Sequence, residues 1–428
     1  MQSKNFLPSV KAQYEALPYP PVDPEDDHHR LEQTWLDDLP MINHYCFGGK
    51  QDFANHFRVL IAGGGTGDAT IFLAEQLKGT NARIVHLDLS SASIAIARKR
   101  AAIRKLENIE WYEGSLLDLA QLGLAPFDYI NCVGVLHHLA DPEAGLQALR
   151  SVLKPDGAIG LMVYGEVGRI GVYHMQRMLR LLGADCPVTE RIGQAKELLG
   201  SLPASNWYRM AGELYNDRDT DAGLVDSLLH PQDRAYTVTQ LYEWLHDRAG
   251  FDLRFTDVHR GSFPYEPALT LAIEATALRQ RLGSMPLRDR QAMSELLMGD
   301  LTRHVLYLTP PGASAVYGDA RLAPFYFHEP LDSKALASMF AFKNGKPTVL
   351  RHEFIGLTAT VATGPFTGRV FSYIDGKRSF QQIFDLVRAG LRVNGVSALP
   401  DNDTLFADFR PAYDVLNAIE RLLLRMPV

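Results

Sequence analysis

The sequence predicts an α/β fold: a parallel sheet covered on both faces, interrupted by helical insertions and followed by a smaller α+β module. Three observations carry this. From residue 58 onward, short apolar runs alternate with segments of helical periodicity. A glycine-rich stretch, Gly63-Gly64-Gly65-Thr66-Gly67, sits at the first strand–helix junction. The alternation then stops after Tyr164, leaving most of a 428-residue chain to insertions and a further module.

Taken in order, the first 55 residues are irregular and rich in prolines and carboxylates. Pro18, Pro20, Pro21 and Pro24 exclude a helix interior or central strand, because each removes a donor and fixes φ. Between Asp23 and Asp38 stand seven carboxylates and one arginine, which reads as a solvated, extended leader. The aromatics Tyr14, Tyr19, Trp35 and Tyr45 argue that it packs on something. Strands are expected at 58–62, 83–88, 109–113, 127–133 and 158–163, and helices at 69–77, 91–106 and 142–153. Lys154-Pro155-Asp156-Gly157 reads as a helix stop and turn. Residues 171–230 look mainly helical, 237–249 a helix, 251–258 a strand, 266–298 helical again and 304–308 a last strand. The expected division is a cap over 1–55, a catalytic domain over 56–310 with a lid insertion at about 168–236 and a second at about 263–300, and an accessory module over 311–428.

Composition narrows the function. Hydrophobic residues are 46% and charged residues 22%, ample for a real core. A net charge of −7 speaks against a broad nucleic-acid footprint, which needs a basic surface. Cys46, Cys132 and Cys186 are few and scattered, fitting neither a disulfide framework nor a metal ladder. No targeting segment or membrane-length apolar run is visible, so a cytoplasmic location without integral membrane association is expected.

The glycine-rich loop carries the strongest chemical signal. Glycines at 63, 65 and 67 permit a sharp turn and close ligand approach, and the helix behind them presents free N–H groups. The dinucleotide pattern G-x-G-x-x-G fails at Asp68, and no P-loop G-K-[ST] follows. An acid at that position would repel a pyrophosphate, so a nucleoside-like ligand fits better. Asp88 ends the second strand, 21 residues past Gly67, where a carboxylate can accept both ribose hydroxyls.

On these residues the chain resembles the class I S-adenosylmethionine-dependent methyltransferases, whose Rossmann-like sheet has seven strands. Gly63-x-Gly65-x-Gly67 is similar to the family's first motif and Asp88 to its ribose-binding acid. Gly114-Ser115-Leu116-Leu117-Asp118 corresponds to the segment beside the adenine. Asn131-Cys132-Val133-Gly134-Val135-Leu136-His137-His138-Leu139 corresponds to the fourth-strand motif, and Leu153-Lys154-Pro155-Asp156-Gly157 to the turn before the fifth strand. The resemblance implies a cofactor shelf of Gly63, Gly64, Gly65, Thr66, Gly67, Asp68, Asp88, Leu89, Ser115, Leu116, Asp118, Cys132, Val133 and His137. Ile61 stands where many relatives carry an acid for the methionine amino group, with Asp68 as a possible substitute. Ser115 stands where relatives often have an aspartate. The Asn/Asp-Pro-Pro-Tyr segment of base and amide methylation is missing, and Cys132 lacks the proline of cytosine-5 enzymes.

The acceptor side is expected beyond the fifth strand. Tyr164, His138, Glu166 and His230 are candidates for proton removal. Tyr14, Tyr19, Arg169, Tyr173, Asp233, Arg234 and Tyr236 are candidates for the acceptor pocket, with Asp233 and Arg234 equally suited to cap the next helix. His137 and His138 lack a third ligand at a known spacing, so no metal is expected. Ile374-Asp375-Gly376-Lys377-Arg378-Ser379 resembles a segment of peptide-binding winged-helix modules. The expected activity is methyl transfer to O, N or C of a small-molecule or lipid-like acceptor, releasing S-adenosylhomocysteine. The alternatives are methylation of a protein or peptide side chain such as lysine, with the C-terminal module recruiting it, or a cofactor-binding subunit without catalysis. Neither the acceptor nor the oligomeric state is legible.

Overall fold

The computed structural model describes residues 8–183, 185–212, 215, 219–256, 265–267, 276–328, 331–352 and 357–427. Packing divides the chain into two compact units. The first comprises Met1–Asp38, Asp52–Phe255 and Met298–Pro311, the second Leu39–Gln51, Thr256–Leu297 and Gly312–Val428. Part of the expected cap, and the second insertion, therefore belong with the C-terminal residues rather than with the sheet.

Before the sheet come helices α1 (Pro8–Ala16) and α2 (Leu39–Cys46). The first unit is built on seven strands: β1 (Arg58–Ala62), β2 (Arg83–Asp88), β3 (Ile109–Glu113), β4 (Phe127–Val133), β5 (Leu153–Tyr164), β6 (Asp252–Phe255) and β7 (Arg303–Thr309). They lie in the order β3-β2-β1-β4-β5-β7-β6, with β7 antiparallel to both neighbours. β1, β4 and the middle of β5 are buried on both faces, as a sheet covered on each side requires. Helices α3 (Asp68–Gln76), α4 (Ser91–Ile103) and α5 (Pro142–Ser151) make the crossovers. Ser90 caps α4 by accepting from Ser93 N at 3.1 Å, and Asp141 caps α5 ahead of Pro142. After β5 come α6 (Ile170–Gly183) and α7 (Val188–Ser201), in the insertion expected to form a lid.

Two local expectations change. The segment 154–157 lies within β5 rather than closing a helix: Leu153 pairs with Phe127 and Ala158 with Tyr129, so residues 154–157 bulge out between the two pairs. The leader is also not a solvated coil. Residues 8–16 form α1, whose Glu15 accepts from the Ser91 and Ala92 N–H groups at 2.9 and 3.1 Å, filling the free donors of α4. Asp27 and Asp37 are buried. Asn131 donates to both oxygens of Asp37, at 2.7 and 2.9 Å, and burial pushes that carboxyl up to about 7.

The second unit is α+β. Phe340, Phe371, Phe380, Phe384 and Phe409 centre its core. β8 (Ala323–Tyr326) pairs with β11 (Leu422–Arg425), and β9 (Thr348–His352) with β10 (Leu357–Val361). Around the Ile374–Ser379 segment, Asp375 accepts from Lys377 N and Arg378 N, while Ser379 and Gln382 form a capping box for the helix Phe380–Val393. The motif thus has a structural role as turn and cap; its winged-helix likeness stays a reading of sequence. The strand expected at 251–258 ends at Phe255, with 257–258 outside the described residues, as is much of 263–275. No helix among the described residues is long and apolar enough to cross a membrane.

Arg100 joins three parts of the first unit. It is 2% exposed, and it donates to Asp27 at 2.5 Å, to Asp68 at 2.6 Å and to the Thr66 carbonyl at 3.0 Å. Arg104 also reaches Asp27, at 2.6 Å. Removing one partner of a buried ion pair leaves the other charge uncompensated. Arg100→Met is expected to lower unfolding free energy by ~3–5 kcal/mol in a denaturant titration. A loss below ~1 kcal/mol, the range of a solvated pair, would contradict that role.

Candidate functional site

The strand order reverses between β1 and β4, and the carboxyl ends of these strands form the expected crevice. Gly63 and Gly65 turn the loop after β1 with φ of +81° and +51°. A Cβ on Gly64 would lie 2.3 Å from the His86 ring, and one on Gly65 2.6 Å from the Tyr19 carbonyl, so neither position tolerates a side chain. The leader closes over this loop: Thr66 Oγ1 donates to the Pro20 carbonyl at 2.8 Å.

Asp88 stands half-buried at the end of β2. Its Oδ2 accepts from Gly65 N and its Oδ1 from Ser90 N, both at 2.8 Å. Burial raises its carboxyl pKa, partly opposed by these N–H groups. A carboxylate has about four acceptor positions, so capacity remains for two hydroxyls. Leu89 lies beside it, half-buried, and Val133 is exposed at the end of β4. Ser115 and Leu116 are buried and Asp118 half-buried in the turn after β3, where Ser115 caps Leu117 N at 3.2 Å. A glycine-turned shelf with an acceptor carboxylate at its edge fits the nucleoside of S-adenosylmethionine. Asp68 accepts from Arg100 through Oδ1 at 2.6 Å, with its side chain 27% exposed. Cys132 is buried within β4, its thiol pushed up to about 12 by burial, which makes it a core residue.

Beyond the shelf the structure gathers Tyr14, His138, Tyr164 and His230 around one carboxylate that sequence reading missed, Asp226. Tyr14 donates to its Oδ1 at 2.8 Å and Tyr164 to its Oδ2 at 3.2 Å. Burial, with Asp226 second, raises both phenol pKa values, so these hydroxyls stay protonated and act as donors. Asp226 is buried on the helical segment before His230, with Leu224, Val225, Leu228 and Leu229 around it. An acid within an apolar helical run was the available signal.

The Gln232 peptide sets the two neighbouring imidazoles differently. Its carbonyl lies 2.7 Å from His138 Nδ1, and a carbonyl can only accept, so Nδ1 carries the proton and Nε2 is bare. Its N–H donates to His230 Nδ1 at 3.1 Å, so there Nε2 carries the proton. The rings are 3.8 Å apart between centroids. Burial lowers the His138 pKa and takes His230 down to about 4, leaving both neutral at pH 7. One atom each from His138, Asp226 and His230 lies within 4.8 Å of the others, a spacing that could hold a metal. The proton on His230 Nε2 argues for a hydrogen-bonded network instead. His137 is fully buried with neither nitrogen bonded, its ring 3.9 Å from that of Tyr164.

Arg169 lies over the Tyr164 ring at 3.5 Å and pairs with Asp233 at 3.4 Å; Gln176 donates to Asp233 at 2.7 Å and Tyr173 at 3.5 Å. These brace the pocket wall. Glu166 is exposed, and with Ile170, Tyr173, His174 and Ala235 it lines a cleft of about 390 Å³. Arg234 turns away to the Leu139 and Ala140 carbonyls, at 3.3 and 3.1 Å. Tyr236 stacks on Trp244, and its backbone bridges Tyr164 and Glu166, a structural placement.

Comparisons with known proteins bear on this site. The Methyltransferase domain family matches residues 60–159. An uncharacterized protein of Synechococcus sp. is 34% identical over 307 residues, covering 70% of this chain and 71% of that one. The tRNA 5-carboxymethoxyuridine methyltransferase of Escherichia coli is 36% identical over 112 residues, 26% of this chain and 41% of that enzyme's length. Among solved structures, PKMT2 from Rickettsia typhi aligns with a TM-score of 0.59 at 15% identity, over 91% of this chain and 75% of that one. A second structure of it, in complex with AdoHcy, aligns at 0.55 and 13%, over 95% and 100%. At such identity the likeness is one of fold.

Asp88→Ala is expected to weaken S-adenosylhomocysteine binding at least tenfold, about 1.4 kcal/mol, by calorimetric titration with an unchanged circular dichroism spectrum. Undiminished affinity would remove Asp88 from the ribose site.

Proposed function

As the chain belongs to the class I S-adenosylmethionine-dependent methyltransferases, we propose that it methylates an oxygen or nitrogen of a small, lipid-like acceptor entering by the cleft beside Glu166 and Ile170. The observation that carries this is the buried polar cluster of His138, Asp226, Tyr14 and Tyr164, adjoining the ends of β4 and β5.

When bound, S-adenosylmethionine supplies an electrophilic sulfonium methyl and departs as the thioether. Gly63, Gly65 and Asp88 would hold its nucleoside. Tyr14 and Tyr164 hold Asp226 in place, and among the described residues no lysine or arginine pairs with it. That carboxylate makes the site favourable to positive charge. Bare His138 Nε2 takes the proton that the acceptor atom loses as its bond to the methyl carbon forms. The lid and leader exclude water and orient the acceptor, the main service a protein renders in such a displacement.

A second reading is methylation of an amine on a protein side chain. It is favoured by the open cleft and by the buried Asp226 carboxyl, an acceptor that suits an ammonium group. Labelled-methyl cofactor incubated with cell extract separates the two: label in the solvent-extractable fraction supports the small acceptor, and label in protein bands the second reading.

His138→Ala is expected to lower kcat by about 10²-fold or more while leaving cofactor affinity unchanged. Because burial lowers the His138 pKa, the base is neutral above pH 6.5, the ordinary value for histidine, and is lost only as pH falls below it. The parent kcat should therefore be flat from neutral pH upward and decline in acid. An equal decline in the alanine variant would assign the titration elsewhere.

A further inference from the structure

The outward face of the lid is not the polar face that a surface helix turns to water. On α6, Val172, Met175, Gln176 and Leu179 are buried. The opposite stripe, at i, i+4, i+7 and i+11, is Ile170, His174, Arg177 and Leu181, all exposed. The short helix Trp207–Ala211 lies against α6 so closely that a Cβ on Gly171 would come within 2.8 Å of Tyr208. It stacks Trp207 on His174 with ring centroids 5.0 Å apart. Leu181 is 81% exposed, Met210 69% and Trp207 53%. Arg177, Arg180 and Arg209 are exposed among them. Side chains of this kind grouped on one surface mark an interaction site, whereas single exposed apolar residues do not. Ile170 and His174 also line the cleft, so the surface continues into the acceptor's entrance.

We propose that this lid face docks on an anionic lipid bilayer, at the headgroup level and without crossing it. Tryptophan and aliphatic residues interleaved with arginines are what such an interface requires: apolar groups enter the headgroup–acyl boundary while cations meet lipid phosphate. The chain carries a net charge of −7, so three arginines on one patch stand out against the rest. The acids next along the chain, Asp185 and Glu190, follow the stripe, and Glu190 is engaged by Gln194 at 3.2 Å. A nucleic acid would call for aromatic platforms along a basic groove. Here the apolar members are mostly aliphatic, which favours lipid. Docking in this way opens the cleft toward the bilayer, so that an acceptor dissolved in lipid reaches His138 without crossing bulk water; this last step rests on the small-acceptor reading above.

The test is flotation of the full chain with vesicles of phosphatidylcholine alone or with 30 mol% phosphatidylglycerol, roughly the scale of an anionic membrane leaflet. The chain is expected to float with the anionic vesicles and not the neutral ones, with a blue shift of tryptophan emission. Leu181→Asp combined with Met210→Asp, and separately Arg177→Glu combined with Arg180→Glu, should each reduce the floating fraction at least tenfold. Thermal unfolding and S-adenosylhomocysteine affinity should remain at parent values, because these side chains are exposed and distant in role from the cofactor shelf. Equal flotation of parent and variants, no flotation of the parent, or binding of single-stranded RNA instead of vesicles would each overturn the proposal. Loss of S-adenosylhomocysteine binding by the parent would overturn the functional reading and leave the docking result to stand by itself.

Discussion

Arg100 carries a full charge at a position almost closed to water, and segments distant in sequence are arranged to satisfy it. Asp27 comes from the leader, Asp68 from the first turn of α3 and the Thr66 carbonyl from the glycine loop. A buried guanidinium is tolerable only with partners on its several N–H groups, so these segments must meet there or the charge is unpaid. The consequence reaches the site. With Asp27 held, the leader passes over the loop, where the carbonyls of Tyr19 and Pro20 take the Thr66 N–H and hydroxyl. α1 then lies along α4, and Tyr14 reaches Asp226.

The polar chemistry is divided between two places. Near β1 and β2, backbone N–H groups and Asp88 form a shelf suited to hydroxyls. Beyond β4 and β5, neutral imidazoles and protonated phenols surround a carboxylate. Burial is what keeps His138, His230 and the two tyrosines uncharged. One peptide group at Gln232 then gives the two histidines opposite tautomers, one a proton acceptor and the other a donor. Neutral imidazoles suit the base role proposed for His138, because a charged imidazolium there would repel the sulfonium.

Acidity has a different meaning in the folded chain than in the sequence. In the sequence the carboxylates of residues 23–38 read as a solvated leader. Asp27 is instead a structural anion paired to two arginines, and Asp37 is tied to Asn131. In the function proposed above, the acid beside the acceptor is Asp226. It lies on the lid side of the site, where family likeness offers no guide.

The sequence by itself determined the strands of the sheet, the turn at Gly63–Gly67 and the carboxylate at Asp88. These depend on local properties: apolar runs form buried strands, glycine alone accepts positive φ, and a residue ending a strand keeps that place. Only the tertiary structure decided the rest. Whether Asp27 is solvated depends on an arginine 73 residues away. Tyr14 becomes part of the site through a partner 212 residues away. Whether His138 offers a proton or a lone pair depends on a backbone carbonyl 94 residues away. Periodicity and propensity act over a few residues, while burial and hydrogen-bond satisfaction are settled by whichever distant groups share the same small volume.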